Sequence, residues 1–229
     1  MKKPVIELKD VWKTYAMGEN KVHALRGLTL TISQGEFVAI MGPSGSGKST
    51  AMNMIGCLDV PTSGTIKLDG TNIAHLSESD LAVVRGRKIG FIFQKFNLIP
   101  TLTAKENVML PLVFQGVDDA ERTRRAEKVL SMVDLQDRMD HRPNELSGGQ
   151  QQRVAIARAL ATEPDVILAD EPTGNLDSKT GATVMQFLRG LHEKEGTTIV
   201  LVTHDMNVAK NADRVEVLRD GAIANDRRK

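Results

Sequence analysis

The stretch Gly42-Pro-Ser-Gly-Ser-Gly-Lys48-Ser49-Thr50 decides the fold of this chain. It follows the apolar run Phe37–Met41 and leads into residues 51–55, so a buried strand, a glycine-rich loop and a helix start succeed one another. Glycines let successive backbone N–H groups turn inward on a phosphate, and the helix N-terminus adds donors and a partial positive charge. The stretch therefore predicts a phosphate-binding loop, in which Lys48 reaches the β- and γ-phosphates and Ser49 offers a hydroxyl to Mg²⁺. A plain glycine-rich turn before a helix is the alternative, and the agreement of strand, loop and helix argues against it.

Size and composition are those of an ordinary globular protein. The chain has 229 residues, of which 41% are hydrophobic and 26% charged, enough for one large α/β domain or two small ones. Thirty Lys+Arg against 29 Asp+Glu give a formal net charge of +1, which offers no signal for binding nucleic acid or an acidic membrane surface. The first nine residues lack the apolar segment of a signal peptide, and the longest apolar run, residues 108–114, is far short of the ~20 residues of a membrane helix. We therefore expect any membrane part to come from another chain.

The first third of the chain predicts an antiparallel layer joined to the loop. Residues 5–15 and 24–32 alternate with Thr, Val and Ile, as half-exposed antiparallel strands do. Gly18-Glu19-Asn20 is the predicted turn between them, and Asp69-Gly70 is typical of a tight hairpin.

The middle of the chain predicts helices, and the last third predicts strands that alternate with helices. Helix-start signals stand at Ser77 and Thr103, and apolar residues recur at helical spacing over residues 118–133. The β-branched runs 165–169 and 197–202 are typical of parallel strands covered on both faces. The predicted helices of this part cover residues 178–195 and 205–211, and a final hairpin follows at residues 215–224.

Polar residues follow the apolar runs at the points where the predicted strands end. They are the glycine-rich loop itself, Gln94, the pair Asp170-Glu171 and the pair Thr203-His204. Because open α/β sheets bind ligands outside the carboxyl ends of their strands, we expect these side chains to gather beside the loop. Each alone has an ordinary explanation as a loop amide, a cap or a loop histidine. Together, beside a phosphate-binding loop, they favour a functional site.

The chemistry of a nucleoside triphosphate assigns a role to each of these residues. Mg²⁺ that bridges the β- and γ-phosphates requires oxygen ligands, which Ser49 and Asp170 can supply, Asp170 through water. Glu171 follows directly and can act as general base toward the attacking water. His204 can hold the γ-phosphate and the water in line, and Gln94 can bridge metal and water. The predicted catalytic residues are therefore Glu171, His204 and Gln94, and the predicted metal ligands are Ser49, Gln94 and Asp170.

A second glycine-containing helix start lies at Leu146-Ser147-Gly148-Gly149-Gln150. Ser147 and Gln150 have the spacing of a capping box, whereas two glycines would weaken an ordinary first turn. Bare backbone at this position suits an anion held against the N–H groups. A simple helix cap is the alternative, which the phosphate-binding loop and Asp170-Glu171 disfavour.

Taken together, these motifs resemble the nucleotide-binding subunit of an ATP-binding cassette (ABC) transporter. In the terms of that family, Walker A is residues 42–49, the Q-loop is Gln94, the signature is residues 146–150, Walker B is residues 166–170 with Glu171, the D-loop is Gly174-Asn175-Leu176-Asp177 and the switch histidine is His204. The motifs follow the family's order over nearly the whole chain. Residues 96–100 and 169–177 are similar to ATPases of the macrolide-export and lipoprotein-release type. The D-loop departs from the commoner Ser-Ala-Leu-Asp form at Gly174-Asn175.

The resemblance implies an α/β fold, the ABC ATPase fold, with a P-loop NTPase core and a mostly parallel sheet. An antiparallel β-subdomain and an inserted α-helical subdomain at about residues 95–162 complete a single nucleotide-binding domain over residues 1–229. The implied cofactors are ATP and Mg²⁺, and Tyr15 stands where the family places an aromatic residue that stacks on adenine. The implied nucleotide-binding residues are Tyr15, Gly42, Pro43, Ser44, Gly45, Ser46, Gly47, Lys48, Ser49, Thr50, Ser147, Gly148, Gly149, Gln150 and Asp177.

The resemblance also implies partners. Two copies would form a head-to-tail homodimer, with each ATP between the loop of one copy and residues 147–150 of the other. This dimer would drive an integral-membrane permease in export or extraction of a substrate, with no nucleic acid involved. The expected location is cytoplasmic, peripheral on the inner face of the cell membrane through the permease.

Other functions could use some of the same motifs. An ABC ATPase that drives a transmembrane signalling or cell-division partner without moving a solute stays open, because the permease is not in this sequence. A soluble ABC ATPase of DNA repair or translation normally carries a coiled-coil insertion, zinc modules or two cassettes, none of which this sequence shows. A small-molecule kinase would use the phosphate-binding loop, but does not explain residues 147–150.

Overall fold

A computed structural model describes residues 3–18 and 20–224 of the chain. Over these residues the strands are β1 Pro4–Met17, β2 Asn20–Ser33, β3 Phe37–Met41, β4 Ser63–Leu68, β5 Thr71–Asn72, β6 Ile89–Ile92, β7 Val166–Asp170, β8 Thr198–Thr203, β9 Arg214–Arg219 and β10 Ala222–Ile223. The α-helices are α1 Lys48–Ile55, α2 Glu78–Lys88, α3 Ala104–Phe114, α4 Asp119–Met132, α5 Gly148–Leu160, α6 Ser178–Glu195 and α7 Met206–Ala209. None of these helices has the length and apolar character needed to span a bilayer.

The described strands form two sheets. The larger has the order β10-β9-β3-β8-β7-β6 and is parallel except for β10, whereas the smaller, of order β2-β1-β4-β5, is antiparallel. Every residue of β8 is buried, as expected for a continuous apolar strand inside a parallel sheet. The predicted mostly parallel core and antiparallel β-layer are therefore confirmed.

The larger sheet lies between two apolar cores. Along β3, Phe37 and Ala39 face a core shared with α3, α4, α5 and α6. The alternate residues Val38 and Ile40 face a second core shared with α1 and the antiparallel sheet. Because both faces are covered, ligands can reach the parallel strands only at their ends, and the carboxyl ends of β3, β7 and β8 come out at the same edge.

The helical middle of the chain is confirmed, and its helices begin at the predicted caps. Ser77 caps α2, and Thr103 caps α3 in a complete capping box with Glu106. The helices α3, α4 and α5 lie in sequence between β6 and β7 and share one apolar core. The treatment of residues 1–229 as a single domain, with an inserted subdomain at about residues 95–162, stays a prediction.

Three details differ from the sequence prediction or lie outside the described residues. The helix predicted over residues 205–211 ends at Ala209, because the Asn211 side chain donates to the carbonyls of Asn207 and Val208 at 3.2 and 3.0 Å and competes with the backbone. The turn predicted at Gly18-Glu19-Asn20 includes Glu19, which lies outside the described residues. Residues 1–2, which belong to the segment that lacks a signal-peptide pattern, lie outside them as well.

The turn of the final hairpin packs against the glycine-rich loop. The Gly221 N–H donates to the Ser46 carbonyl at 3.0 Å, and the Gly221 carbonyl accepts from the Arg26 N–H at 2.8 Å. A Cβ on Gly221 would lie 2.8 Å from the Ala24 carbonyl oxygen, so no larger residue fits without a shift. The hairpin therefore ties the loop to β2.

This arrangement predicts different costs for the same substitution at two matched turns. Gly221 has φ 82°, and Gly70, in the other Asp-Gly hairpin, has φ 80°, but a Cβ on Gly70 would meet nothing within 4 Å. Gly70→Ala should cost only the left-handed conformation, about 1–2 kcal/mol. Gly221→Ala should cost about 1–3 kcal/mol more, because the methyl group is forced against backbone. Denaturant unfolding of both variants measures the difference in free energy of unfolding. Equal losses of stability would contradict the close packing of the final hairpin turn against the loop and β2.

Candidate functional site

A cavity of about 1190 Å³ opens at the carboxyl ends of the parallel strands. The glycine-rich loop lines it with residues 42–45 and 47–50. Gln94, Asp170, Glu171 and His204 line it as well, so the structure brings together the residues that the strand ends predicted. Cavities of this size accommodate cofactor-sized ligands.

The glycine-rich loop is shaped by close backbone contacts. A Cβ on Gly42 would lie 2.2 Å from the Leu218 carbonyl oxygen, and one on Gly47 would lie 2.5 Å from the Ala24 carbonyl oxygen. Gly47, at φ 100°, precedes α1 and provides no side-chain cap. The first N–H groups of α1 therefore face the cavity without a side-chain acceptor from the N-cap, as anion binding at a helix N-terminus requires.

Two predicted loop residues take defined positions. The Lys48 ammonium donates to the carbonyls of Gly42 and Pro43, each at 2.8 Å, and so lies over the loop. Ser46 is buried with 3% exposure; its carbonyl holds Gly221, and its hydroxyl lies 2.7 Å from where a Cβ on Gly42 would be. Ser46 thus supports the loop from behind.

Asp170 is the last residue of β7 and faces the cavity. Burial and the neighbouring charge of Glu171 raise the pKa of its carboxyl above the ordinary range, and Lys48 offsets part of this rise. An ionised Asp170 is thus short of compensating charge. A cation would supply that charge.

Glu171 is held by the end of β8. One carboxylate oxygen accepts from the His204 N–H at 2.9 Å and lies 2.5 Å from His204 Nδ1, and the other accepts from the Thr203 hydroxyl at 2.9 Å. Glu171 has φ 44°, a left-handed conformation that is costly for a residue with a Cβ. The backbone and three donors together fix this carboxylate beside Asp170.

Sequence reasoning gave Thr203 no role. Its side chain is fully buried, with 0% exposure, and its hydroxyl also accepts from the Asp205 N–H at 3.1 Å. A hydroxyl residue at the end of an apolar strand, directly before His204, was the available signal. Thr203 holds Glu171.

The cavity also has a basic wall that no motif revealed. Lys21, His23 and Arg26 contribute it from β2, and Arg219 adds to it from the end of β9. The lysine and the two arginines carry positive charge and line the same cavity as the loop, so they favour an anionic ligand there.

The structure places the signature residues away from this cavity, at the N-terminus of α5. The Ser147 N–H donates to Gln150 Oε1 at 2.8 Å and the Gln150 N–H donates to the Ser147 hydroxyl at 3.3 Å, which completes the predicted capping box. A Cβ on Gly149 would lie 2.4 Å from Thr180 Cγ2, so packing against α6 requires this glycine. A Cβ on Gly148 would make only ordinary contacts, the nearest at 3.7 Å from Leu176 Cδ2.

Asp177 and Tyr15 also lie outside the cavity lining. The Asp177 carboxylate caps α6, accepting from the N–H groups of Lys179 and Thr180 at 3.0 Å. The Tyr15 hydroxyl donates to Asp59 at 2.9 Å; burial and this bond raise its pKa. Their contacts with a nucleotide stay predictions.

A profile of the family described as ABC transporter matches residues 25–174. The chain belongs to the ABC transporter family. An uncharacterized ABC transporter ATP-binding protein of Thermotoga maritima is 55% identical over 221 residues, which cover 96% of this chain and 94% of that protein. A macrolide export ATP-binding/permease protein, MacB, of Brucella melitensis is 53% identical over 97% of this chain, which spans only 34% of that longer protein.

A solved structure of the same fold comes from the ATP-binding cassette MJ0796, whose sequence is that of a Methanocaldococcus jannaschii protein. That structure is a dimer in a post-hydrolysis state bound to ADP and Pi, with a TM-score of 0.87 and 54% identity over 95% of this chain and 96% of that one. The predicted ABC ATPase fold is therefore confirmed. As a member of this family the cassette is an ATP-binding ATPase.

The contact between Thr203 and Glu171 predicts a selective loss of turnover. Thr203→Val keeps the size of the side chain but removes its hydroxyl, so kcat should fall roughly tenfold while the affinity for ATP stays near wild type. Thr203→Ser, which keeps the hydroxyl, should restore most of the rate. Steady-state ATP hydrolysis measures both variants, and an unchanged kcat in Thr203→Val would contradict the role.

The raised pKa of Asp170 predicts that this carboxylate lowers stability in the nucleotide-free protein. Because the folded-state pKa lies above the unfolded value, ionisation lowers stability by its full amount above the folded pKa. This cost shrinks as the pH falls through the folded pKa and is gone below the unfolded pKa. Asp170→Asn should therefore raise Tm at pH 7.5 by about 1–4 °C. The gain should shrink toward acidic pH. Thermal melts without nucleotide test this, and a lower Tm at pH 7.5 would contradict it.

Proposed function

We propose that this cassette is the energising ATPase subunit of an ABC export or extraction system and works as a head-to-tail homodimer around two ATP molecules. One observation carries the proposal. The loop, Asp170, Glu171 and His204 share one cavity, whereas residues 147–150 stand at a separate helix N-terminus with Ser147 exposed. A second copy would bring these signature residues to the triphosphate, so each copy supplies half of each site.

The residues of the cavity fit Mg²⁺. Asp170 is a half-buried carboxylate short of compensating charge, and the Ser49 hydroxyl and the Gln94 amide line the same space. Oxygen donors of this kind, together with phosphate oxygens and waters, are what Mg²⁺ prefers. The bound ion would neutralise negative charge between the β- and γ-phosphates. Lys48 and the N–H groups of the loop would hold the triphosphate.

Glu171 would act as general base, with His204 beside it. The Thr203 hydroxyl and the His204 N–H hold the Glu171 carboxylate in a fixed orientation, which suits a group that must accept a proton from a positioned water. His204 Nδ1 contacts a carboxylate oxygen of Glu171, and the imidazole would keep the γ-phosphate and the water in line. Tyr15 would stack on adenine. Asp177 would belong to the nucleotide site formed between the two copies of the dimer.

The relatives support the homodimer and the membrane partner. MJ0796 was solved as a dimer, and MacB proteins carry a permease in the same chain. Since this chain matches about a third of such a protein, the permease would lie outside these 229 residues, and the cassette would lie on the cytoplasmic face of the membrane through it. Similarity to MacB favours export over signalling to a cell-division partner.

Glu171→Gln separates binding from hydrolysis. Glutamine keeps the shape of the side chain but is not a base, so ATP should bind while hydrolysis slows at least about 100-fold. An ATP-held dimer should then accumulate, which size-exclusion chromatography with light scattering detects.

The matched control is Glu193→Gln. Glu193 lies on α6, pairs with Arg189 at 2.7 Å and does not line the cavity. The Glu193→Gln variant should hydrolyse ATP at the wild-type rate. If Glu171→Gln also hydrolyses at that rate and stays monomeric with ATP, the proposed function is wrong.

A further inference from the structure

The D-loop pair Gly174-Asn175, which departs from the commoner form, lies against Gln94. The Asn175 side-chain amide donates to the Gln94 carbonyl at 2.9 Å. In return, Asn175 Oδ1 is the acceptor for the Gln94 side-chain amide at 3.4 Å. Asn175 thus contacts both the backbone and the side chain of Gln94.

Gly174 leaves room for the Gln94 side chain. A Cβ on Gly174 would lie 2.7 Å from Gln94 Nε2 and 3.1 Å from Gln94 Cδ. Gly174 is itself fixed, because its N–H donates to the Glu171 carbonyl at 2.9 Å. The two residues therefore act together: Gly174 provides the space and Asn175 provides the bonds.

The other end of this segment is anchored to α6. Asp177 caps the helix, and the Thr180 hydroxyl donates to its second carboxylate oxygen at 2.6 Å. On the far side of Gln94, Arg158 from α5 donates to the carbonyls of Phe96 and Asn97 at 2.9 and 2.6 Å. Gln94 therefore lies between two segments that are each anchored to a helix: residues 174–177 to α6 and residues 96–97 to α5. Within the described part of the chain, the side-chain hydrogen bonds that involve Gln94 itself are the two made with Asn175.

We propose that Asn175 is a positioning residue that holds Gln94 in the orientation required for ATP hydrolysis. The proposal rests on the proposed function, because it takes Gln94 to act on the metal and water of the site. The geometry favours a positioning role over simple loop packing, since both Asn175 bonds end on a residue that lines the cavity. Asn175 itself does not line it.

The test compares Asn175→Ala in two backgrounds. In the wild-type background kcat should fall roughly three- to tenfold, because the substitution removes one hydrogen bond of ordinary length and one long, weak one, while KM for ATP stays within about twofold. In a Gln94→Ala background the same substitution should cause no further fall, because the side chain that it positions is already gone. Gly174→Ala should lower kcat similarly by displacing Gln94.

A second readout does not depend on turnover. Hydrogen exchange of the peptide that spans residues 94–98 should quicken in Asn175→Ala, with no change in global Tm beyond that of the control. Asn211→Ala is the control, since the Asn211 side chain also makes two hydrogen bonds but lies outside the cavity lining. It should keep wild-type kcat.

Three results would overturn the positioning role. They are an Asn175→Ala kcat within twofold of wild type, an equal further fall in the Gln94→Ala background, and unchanged hydrogen exchange over residues 94–98. Failure of the proposed function looks different: the wild-type protein would then lack ATP hydrolysis that depends on Glu171, whatever stands at position 175.

Discussion

The site depends on the close approach of three backbone segments around the glycine-rich loop. Gly42 lies against the carbonyl of Leu218 in β9, and Gly47 lies against the carbonyl of Ala24 in β2. Gly221 then joins the two sides by bonding Ser46 and Arg26. A side chain at any of the three glycines would separate these segments, and the N–H groups of α1 would no longer converge on one ligand. The shape of the loop is therefore a property of the tertiary fold, although its sequence is local.

Around this loop, the parallel sheet determines which side chains can act together. Asp170 and Thr203 end neighbouring strands, and Glu171 is turned toward β8 by its left-handed backbone. The Glu171 N–H donates to the Val202 carbonyl at 2.9 Å, which closes this turn onto the adjacent strand. The strained backbone of Glu171 therefore lies next to the Asp170 carboxylate, whose charge is only partly compensated. Both lower stability, and both are typical of a site arranged for a ligand rather than for folding.

The parts of the structure that could be predicted from sequence depend on local signals. The run Phe37–Met41 followed by glycines predicted β3, the loop and α1, and the cap at Thr103 predicted the start of α3. Thr203 and Asn175 could not be assigned roles in this way, because their partners Glu171 and Gln94 lie 32 and 81 residues away. The basic wall from β2 was missed for a similar reason: a lysine on an exposed strand has no local mark of the cavity that it faces. Gly149 was explained by an anion alone, whereas its contact with Thr180 supplies a packing reason that only the fold reveals.

The contact between Gly149 and Thr180 joins the signature helix to the start of α6. The signature helix and the first turn of α6 touch where neither has space to spare, and the same threonine is bonded to the Asp177 cap. A larger residue at position 149 would meet the Thr180 methyl group, whereas serine at position 180 would remove that methyl group and keep the hydroxyl on Asp177. The signature and the D-loop of this cassette are therefore connected through one threonine, whose methyl group limits position 149 and whose hydroxyl holds Asp177. A substitution at position 149 can therefore disturb the Asp177 cap without contacting it directly.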